Sequence, residues 1–553
     1  MRINKKWSVR LAWATFFLSS NASFGQVPTL DYFKYLDNDS AFVNSIIYST
    51  DGNLIIAGEF NSDKFKYGNN ALFNIDHGTV NRNYSDFFIA KVNSQNGSFI
   101  WATGGGAKNL NPKPYSSLKN ESIRKVCQDA NGNLYAIGTH EGEMYFQGDI
   151  ISHNNNDDKD IFIIKLSANG KSIWTISIES PWETGWQEFV ADAFCNKNGD
   201  LILGVNNLGS KAFNLYKISS DGDLLTEGSI SGCQSSRLEC VSLSPASNGD
   251  IIVGTVSLCP KIRVNDSIIT TSGPSGIYRF SSDLKLTWVK FTSGGLNSIR
   301  TNSENKIWLS YIQQTNNLPV QAFSLIDSAG NTLYTKELTN TGTSVVDIIV
   351  DSKGNLLTSG TFLSPPNNSS TPLKFDNFTI NHNNSNEGSN SYLTRFNIGT
   401  KTFDWVISID GHSHRVNSFC TDRTFNTLYT SINNVWFYNA QNPTANVFFN
   451  QTKTNYQMIG LYIGKINLQS ADISDIKISN TQQGFYPNPC TDFIKTSQEV
   501  YPNTTLEIFN LNGVLLNSVV GKNEIETNNL LPGFYCVKLS NPNKTTKSFF
   551  VKR

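Results

Sequence analysis

Residues 122–146 read SIRKVCQDANGNLYAIGTHEGEMYF, and residues 160–178 read DIFIIKLSANGKSIWTISI. Two apolar runs flank the turn at Asn131-Gly132, a third run reaches Lys165, and a turn at Asn169-Gly170 leads into a fourth run carrying Trp174. Asn-Gly tolerates the left-handed backbone of tight hairpins, so each turn folds a run back against the one before it. The runs are too short for helices and alternate as half-buried strands do. The stretch therefore predicts one antiparallel sheet unit of four strands.

The unit repeats. Its first strand, turn and second strand recur as NSIIYSTDGNLIIAGEF (44–60), VADAFCNKNGDLILGVN (190–206), VSLSPASNGDIIVGTV (241–256) and VVDIIVDSKGNLLTSGTF (345–362). A degenerate fifth copy reads SIRTNSENKIWLSYI (298–312), and the seventh reads VNSFCTDRTFNTLYTSI (416–432). The turn falls at Gly52, Gly132, Gly199, Gly249, Asn305, Gly354 and Asn426. The mean spacing is about 62 residues, above the ~40–50 of common blade repeats, and the excess falls in polar segments such as 61–85 and 364–390. Most third strands end near a basic residue, and fourth strands are marked by Trp101, Trp174, Trp288, Tyr334 and Trp405.

The seventh unit ends at Leu468 without a fourth strand, whereas a spare run, LDYFKY (30–35), precedes the first unit. An open ring would expose two sheet edges, and pairing the spare strand with the last sheet removes both. The expectation is a seven-bladed β-propeller over residues 26–468, closed by residues near 30–36. The degenerate fifth copy leaves six or eight blades as alternatives. The repeat resembles a bacterial β-propeller family whose units read roughly D-x-F-x-x-K-x-x-x-x-G-x-x-x-W. Asp160, Lys165, Gly170 and Trp174 match it, as do Asp86, Lys91, Gly97 and Trp101. The resemblance implies a non-catalytic protein.

Composition agrees with an all-β fold: 35 Phe, 20 Tyr and 10 Trp stand against 3 Met in 553 residues. Lys+Arg and Asp+Glu are each 45, so no basic field exists to draw nucleic acid, and no such partner is expected. Arg2, Lys5, Lys6 and Arg10, the apolar run 11–18 and the small-x-small site at Ser23-Phe24-Gly25 read as a signal peptide over residues 1–25. That run is far shorter than the ~20 residues of a membrane helix, and no transmembrane helix is expected elsewhere.

After a polar linker (469–483), residues 484–553 change character. Short alternating runs broken by Asn-Gly and Pro-Gly predict a small antiparallel β-sandwich. Tyr486-Pro487-Asn488-Pro489, the Asn-Gly turn ending at Gly513, and Leu531-Pro532-Gly533-Phe534-Tyr535 before a basic tail stand out. Together they resemble the type A C-terminal sorting domain of the type IX secretion system. The sorting-signal residues carried by that resemblance are Tyr486, Pro487, Asn488, Pro489, Gly513, Gly533 and Tyr535. It implies export to the outer membrane, recognition by the secretion and sorting machinery there, and a secreted or cell-surface product.

Catalytic and metal motifs do not emerge, and no cofactor is expected. His412 and His414 stand two apart with no further ligands in view, and Asp157, Asp158 and Asp160 lack a calcium loop's ladder. Gly104-Gly105-Gly106 reads as a connection between blades. Cys127, Cys195 and Cys420 fall in first strands of different units, expected to lie too far apart to bridge. A disulfide is expected among Cys233, Cys240 and Cys259, and another between Cys490 and Cys536. Asp39-Ser40-Ala41, Asp266-Ser267-Ile268 and Asp327-Ser328-Ala329 resemble short bacterial O-glycosylation acceptors. The candidate ligand contacts are Trp182 and Trp186, whose rings beside Glu179, Glu183 and Glu188 would suit a sugar. These readings lead to an exported, non-enzymatic binding or adhesion scaffold for a surface glycan or protein ligand. The alternative is a carbohydrate-active lyase or hydrolase on the same scaffold.

Overall fold

The computed structural model describes residues 28–36, 41–75, 85–107, 121–141, 143–151, 159–178, 188–233, 238–315, 318–338, 343–363, 373–380, 389–410, 414–434, 446–449, 452–457, 461–468, 485–486, 490–496, 498, 500–510, 515–530, 533–541 and 544–552. Every regular element in them is a strand. Contacts divide the chain between a unit spanning Pro28–Leu468 and one holding the C-terminal residues.

Among its described residues the first unit holds seven blade sheets, each with a four-stranded core in simple up-and-down order, and two separate two-stranded hairpins. Blade two shows the pattern: Ser122–Gln128, Leu134–His140, Asp160–Leu166 and Ser172–Ile178 pair in sequence. The innermost strands of the seven blades are Ala41–Tyr48, Ser122–Gln128, Glu188–Cys195, Leu238–Pro245, Gly295–Thr301, Thr343–Val350 and His414–Thr421. They pack side by side in chain order, and the last returns to the first. Second and third strands supply the core between blades. Asp160–Leu166, buried at every position, reads DIFIIKL because both faces of that sheet are covered by a neighbour.

The ring closes through the N-terminal strand. Thr29–Tyr35 pairs antiparallel with Leu461–Asn467, placing Phe33 opposite Gly464 and Tyr35 opposite Tyr462. Phe33 is 4% exposed, and a Cβ on Gly464 would stand 2.5 Å from its ring, so glycine makes the room the phenyl occupies. Phe33→Ala is expected to cost about 3–4 kcal/mol, since it leaves a void at the one seam held without a covalent connection. Urea unfolding measures it, and an unchanged midpoint would mean that the latch adds nothing to the ring.

The repeat's signature residues act between blades. In blade two, Lys165 donates to the carbonyl of Ser220 in the blade-three turn at 2.6 Å, and Trp174 Nε1 donates to the same oxygen at 3.1 Å. Blade four repeats this with Arg279 and Trp288, at 2.6 and 3.0 Å from the Ser328 carbonyl. Gly170 must lack a side chain there, because a Cβ would meet Trp101 at 2.9 Å, while Gly222 is required by its left-handed φ of 96° beside Trp174. The closing strand uses Tyr32 instead: its hydroxyl donates to Ser94 O in the matching blade-one turn at 3.1 Å. Tyr32 sits opposite Lys465, as Trp174 sits opposite Lys165.

Three expectations need correction. The polar segments 61–85 and 364–390 contain hairpins, Lys64–Tyr67 with Asn70–Phe73 and Leu373–Phe375 with Phe378–Ile380. Their strands are too short for periodicity to register. Gly104–Gly106 is not a connection but part of the outer strand Phe99–Ala107. There it receives the hairpin Met144–Phe146/Asp149–Ile151 from blade two, and a Cβ on Gly105 would lie 2.2 Å from Tyr145 O. Hairpins from blades four and seven likewise join the outer strands of blades three and six, covering edges that would otherwise stay open. In the seventh turn the left-handed residue is Phe425, with φ 55°, rather than Asn426.

The C-terminal unit is two sheets. Phe485–Tyr486, Phe493–Thr496 and Glu524–Glu526 form one; Leu515–Val520, Thr505–Asn510, Gly533–Asn541 and Lys544–Lys552 form the other, in that order. Between them lie Cys490, Ile494, Leu506, Ile508, Ile525, Val537, Leu539 and Phe550. That is a small sandwich with a core of its own.

Candidate functional site

Every innermost strand carries an irregularity near its middle, where two residues oppose one on the second strand. Such bulges turn a side chain out of its ladder. The residues just past them are Ser45, Lys125, Asp192, Ser242, Ser298, Asp347 and Ser418. Several of these link neighbouring blades. Ser418 Oγ accepts from Ile46 N at 3.3 Å, Ser45 Oγ from Val126 N at 3.1 Å, and Asp192 Oδ2 from Leu243 N at 3.0 Å.

Across blades two to six the same level carries charge. Lys125 Nζ lies 2.7 Å from Asp192 Oδ1, and Arg300 Nη1 lies 3.6 Å from Asp192 Oδ2. Arg300 also donates to Ser242 Oγ at 2.7 Å and, through Nη2, to Asp347 Oδ1 at 2.9 Å. Burial alone would push the Asp192 carboxyl up, but Lys125 and Arg300 beside it hold it below the usual carboxylate range. Two cations and two carboxylates satisfy one another here, so the network presents no unbalanced charge to a ligand. Its chemistry is that of a lock between five blades.

A second candidate is a cavity of about 240 Å³ at the outer edge of blade one, lined in part by Phe60, Leu72, Phe73, Asp86, Gly104 and Tyr145. Ligand pockets begin near ~300 Å³. Asp86 there accepts from Ile75 N at 2.7 Å.

The predicted site residues fare unevenly. Trp182, Trp186, Glu179 and Glu183 lie outside the described residues, whereas Glu188 is buried at the start of the blade-three inner strand and accepts from Asn207 at 3.1 Å. His412, Asp157 and Asp158 also lie outside; Asp160 is buried at the head of its strand. Asp266-Ser267 sits at the tip of the hairpin Lys261–Val264/Ser267–Thr270, and Ser328 offers its carbonyl to Arg279 and Trp288. Of the sorting-signal residues, Tyr486 belongs to the short first strand, and Gly533 and Tyr535 to a long central one. Tyr535 stacks on Phe550 with centroids 5.6 Å apart. Pro487, Asn488, Pro489 and Gly513 lie outside the described residues. No group of three potential metal ligands and no helix long and apolar enough to cross a membrane occurs among the described residues.

The cysteines overturn two expectations, the separation of Cys127 from Cys195 and the pairing of Cys490 with Cys536. Cys127 Sγ and Cys195 Sγ, from neighbouring blades, stand 3.0 Å apart. Treating blades as separate bodies missed that their innermost strands converge to hydrogen-bonding distance. Cys259 Sγ accepts from Cys233 N at 2.8 Å, while Cys240 donates to Ser242 O in its own strand, 3.6 Å away. Cys490 lies in the sandwich core and donates to Thr527 Oγ1 at 3.7 Å. Cys536 alternates with the core residues Val537 and Leu539, which turns it to the other face of its strand and away from Cys490.

Residues 484–553 match the family described as the secretion system C-terminal sorting domain, so the tail is a type IX sorting domain. No curated protein matches the chain. Among solved structures, a Bacteroides caccae protein of unknown function is 9% identical with a TM-score of 0.29, covering 53% of this chain and 89% of that one. Kluyveromyces marxianus Hsv2 is 10% identical with a TM-score of 0.34, covering 71% and 91%. Drosophila Plexin A in complex with Semaphorin 1b is 9% identical with a TM-score of 0.37, covering 80% and 88%. Likenesses of this size carry no argument about function.

Proposed function

We propose that this chain is an exported, non-catalytic propeller that serves as a binding or adhesion scaffold at the cell surface or outside it. The sorting domain supports its delivery by the type IX secretion system. The observation that carries the scaffold reading is the pairing of Lys125, Asp192, Arg300 and Asp347 with one another. A hydrolase or lyase needs an acid and a base free to exchange protons with substrate, and these four are committed to holding blades together. The recurring chemistry of the repeat, Lys165 with Trp174 and Arg279 with Trp288, is likewise spent on turn carbonyls of the next blade.

A glycan array probed with the exported chain, run beside an assay for new reducing or unsaturated sugar ends, tests the reading. Retention of a glycan or of a surface protein without product is expected. Product release that scales with protein would replace the scaffold by the carbohydrate-active alternative.

A further inference from the structure

We propose that Cys127 and Cys195 form a disulfide between blades two and three once the chain leaves the cytoplasm. Three observations converge on the pair. The sulfurs stand 3.0 Å apart, inside van der Waals contact, so about 1 Å of side-chain movement brings them to bonding distance. Their strands are held in register by the Lys125–Asp192 pair, whose 2.7 Å contact lies two residues before Cys127 and three before Cys195. The flanking Tyr135 adds a second tie, its hydroxyl donating to Gly199 O in blade three at 3.0 Å.

Closure needs an oxidant, and a protein or small-molecule disulfide of the export compartment has the right chemistry. Cys195 is the more exposed of the two, so its thiolate attacks the donor, forming a mixed disulfide and expelling one donor thiolate. Cys127, deprotonated in turn, attacks Cys195 Sγ and releases the second donor thiolate. Two electrons pass from the pair to the donor, and the two protons lost by the cysteines leave it as the dithiol. The Cys127 thiol beside it, and then burial, push the Cys195 thiol far above its ordinary value, which makes unassisted closure slow.

The bond would staple a junction that already carries one end of the charge network, closing a loop of 68 residues. The test uses the full chain recovered after its own export, alkylated before any reductant is added and then mapped by mass spectrometry. The expected result is a linked peptide pair containing Cys127 and Cys195, lost on reduction. Reductant, Cys127→Ser and Cys195→Ser should each lower Tm by roughly 4 °C, and reductant should add nothing in either variant at this junction. Recovery of both cysteines fully alkylated from the exported, unreduced wild-type protein overturns the proposal. That readout needs no variant, so a misfolded substitution leaves it intact.

Discussion

Deleting residues 484–553 will leave a ring that folds and is retained inside the outer membrane. The argument starts from where the cores lie. The sandwich core is drawn from Cys490 through Phe550, and the blade cores from residues between Phe33 and Leu468. Among the described residues each unit has a core of its own, so the truncated chain should melt within a degree or two of the ring in the full protein. Surface delivery, measured by protease shaving of intact cells, should fall to background because the matched sorting domain is gone. Normal delivery of the truncation would remove the export assignment. A point variant separates a folded signal from a linear one. Leu506 is fully buried on the strand Thr505–Asn510, and Leu506→Ala should cost about 2–5 kcal/mol, most of what so small a domain has. If the machinery reads the folded sandwich, Leu506→Ala loses delivery nearly as completely as the deletion; if it reads the Tyr535 segment as a linear motif, delivery survives.

What the sequence made legible was local. Asn131-Gly132 declares a hairpin because only certain residues sit easily at φ 85°, and that preference needs no partner. The spare strand 30–35 was readable because counting strands is also one-dimensional. Lys165 and Trp174 were visible as a pattern, but not as what they do, because the Ser220 carbonyl they share lies in the next blade. The charge network was hidden for the same reason: Lys125, Asp192, Arg300 and Asp347 come from four separate units, and nothing in the spacing from 125 to 347 sets them at one level. That level is set by the bulges, each a one-residue irregularity in the pairing of its strand. Gly104–Gly106 misled in the opposite direction. A triple glycine suggests a loop, yet here small size admits another hairpin's backbone.

Breaking the network at Asp192 should have the largest effect of any single substitution in the ring. Asp192 is 6% exposed and faces Lys125 and Arg300 from two other blades while accepting Leu243 N from a third. Asp192→Ala leaves one cation without its partner, the other with Asp347 alone, and a buried amide without an acceptor. The expected loss is about 3–5 kcal/mol, read by urea unfolding at neutral pH. Asp192→Asn keeps an acceptor for Leu243 and should fall between alanine and wild type. The acid response gives the sign independently. The neighbouring cations hold the carboxyl below its unfolded value near ~3.9, so at acid pH the unfolded chain binds the extra proton. Its contribution is therefore complete above about pH 4 and drains away as pH falls through the folded value. Asp51 adds a loss of the same sign: burial alone would raise its pKa, but Lys91 draws it well below the usual range. The informative quantity is then the difference between proteins. Wild type should lose more stability than Asp192→Asn between neutral pH and pH 3, and the two curves should converge at the acid end. Parallel curves, or an alanine variant as stable as wild type, would mean the blades are held by packing alone and the four charges only fill space.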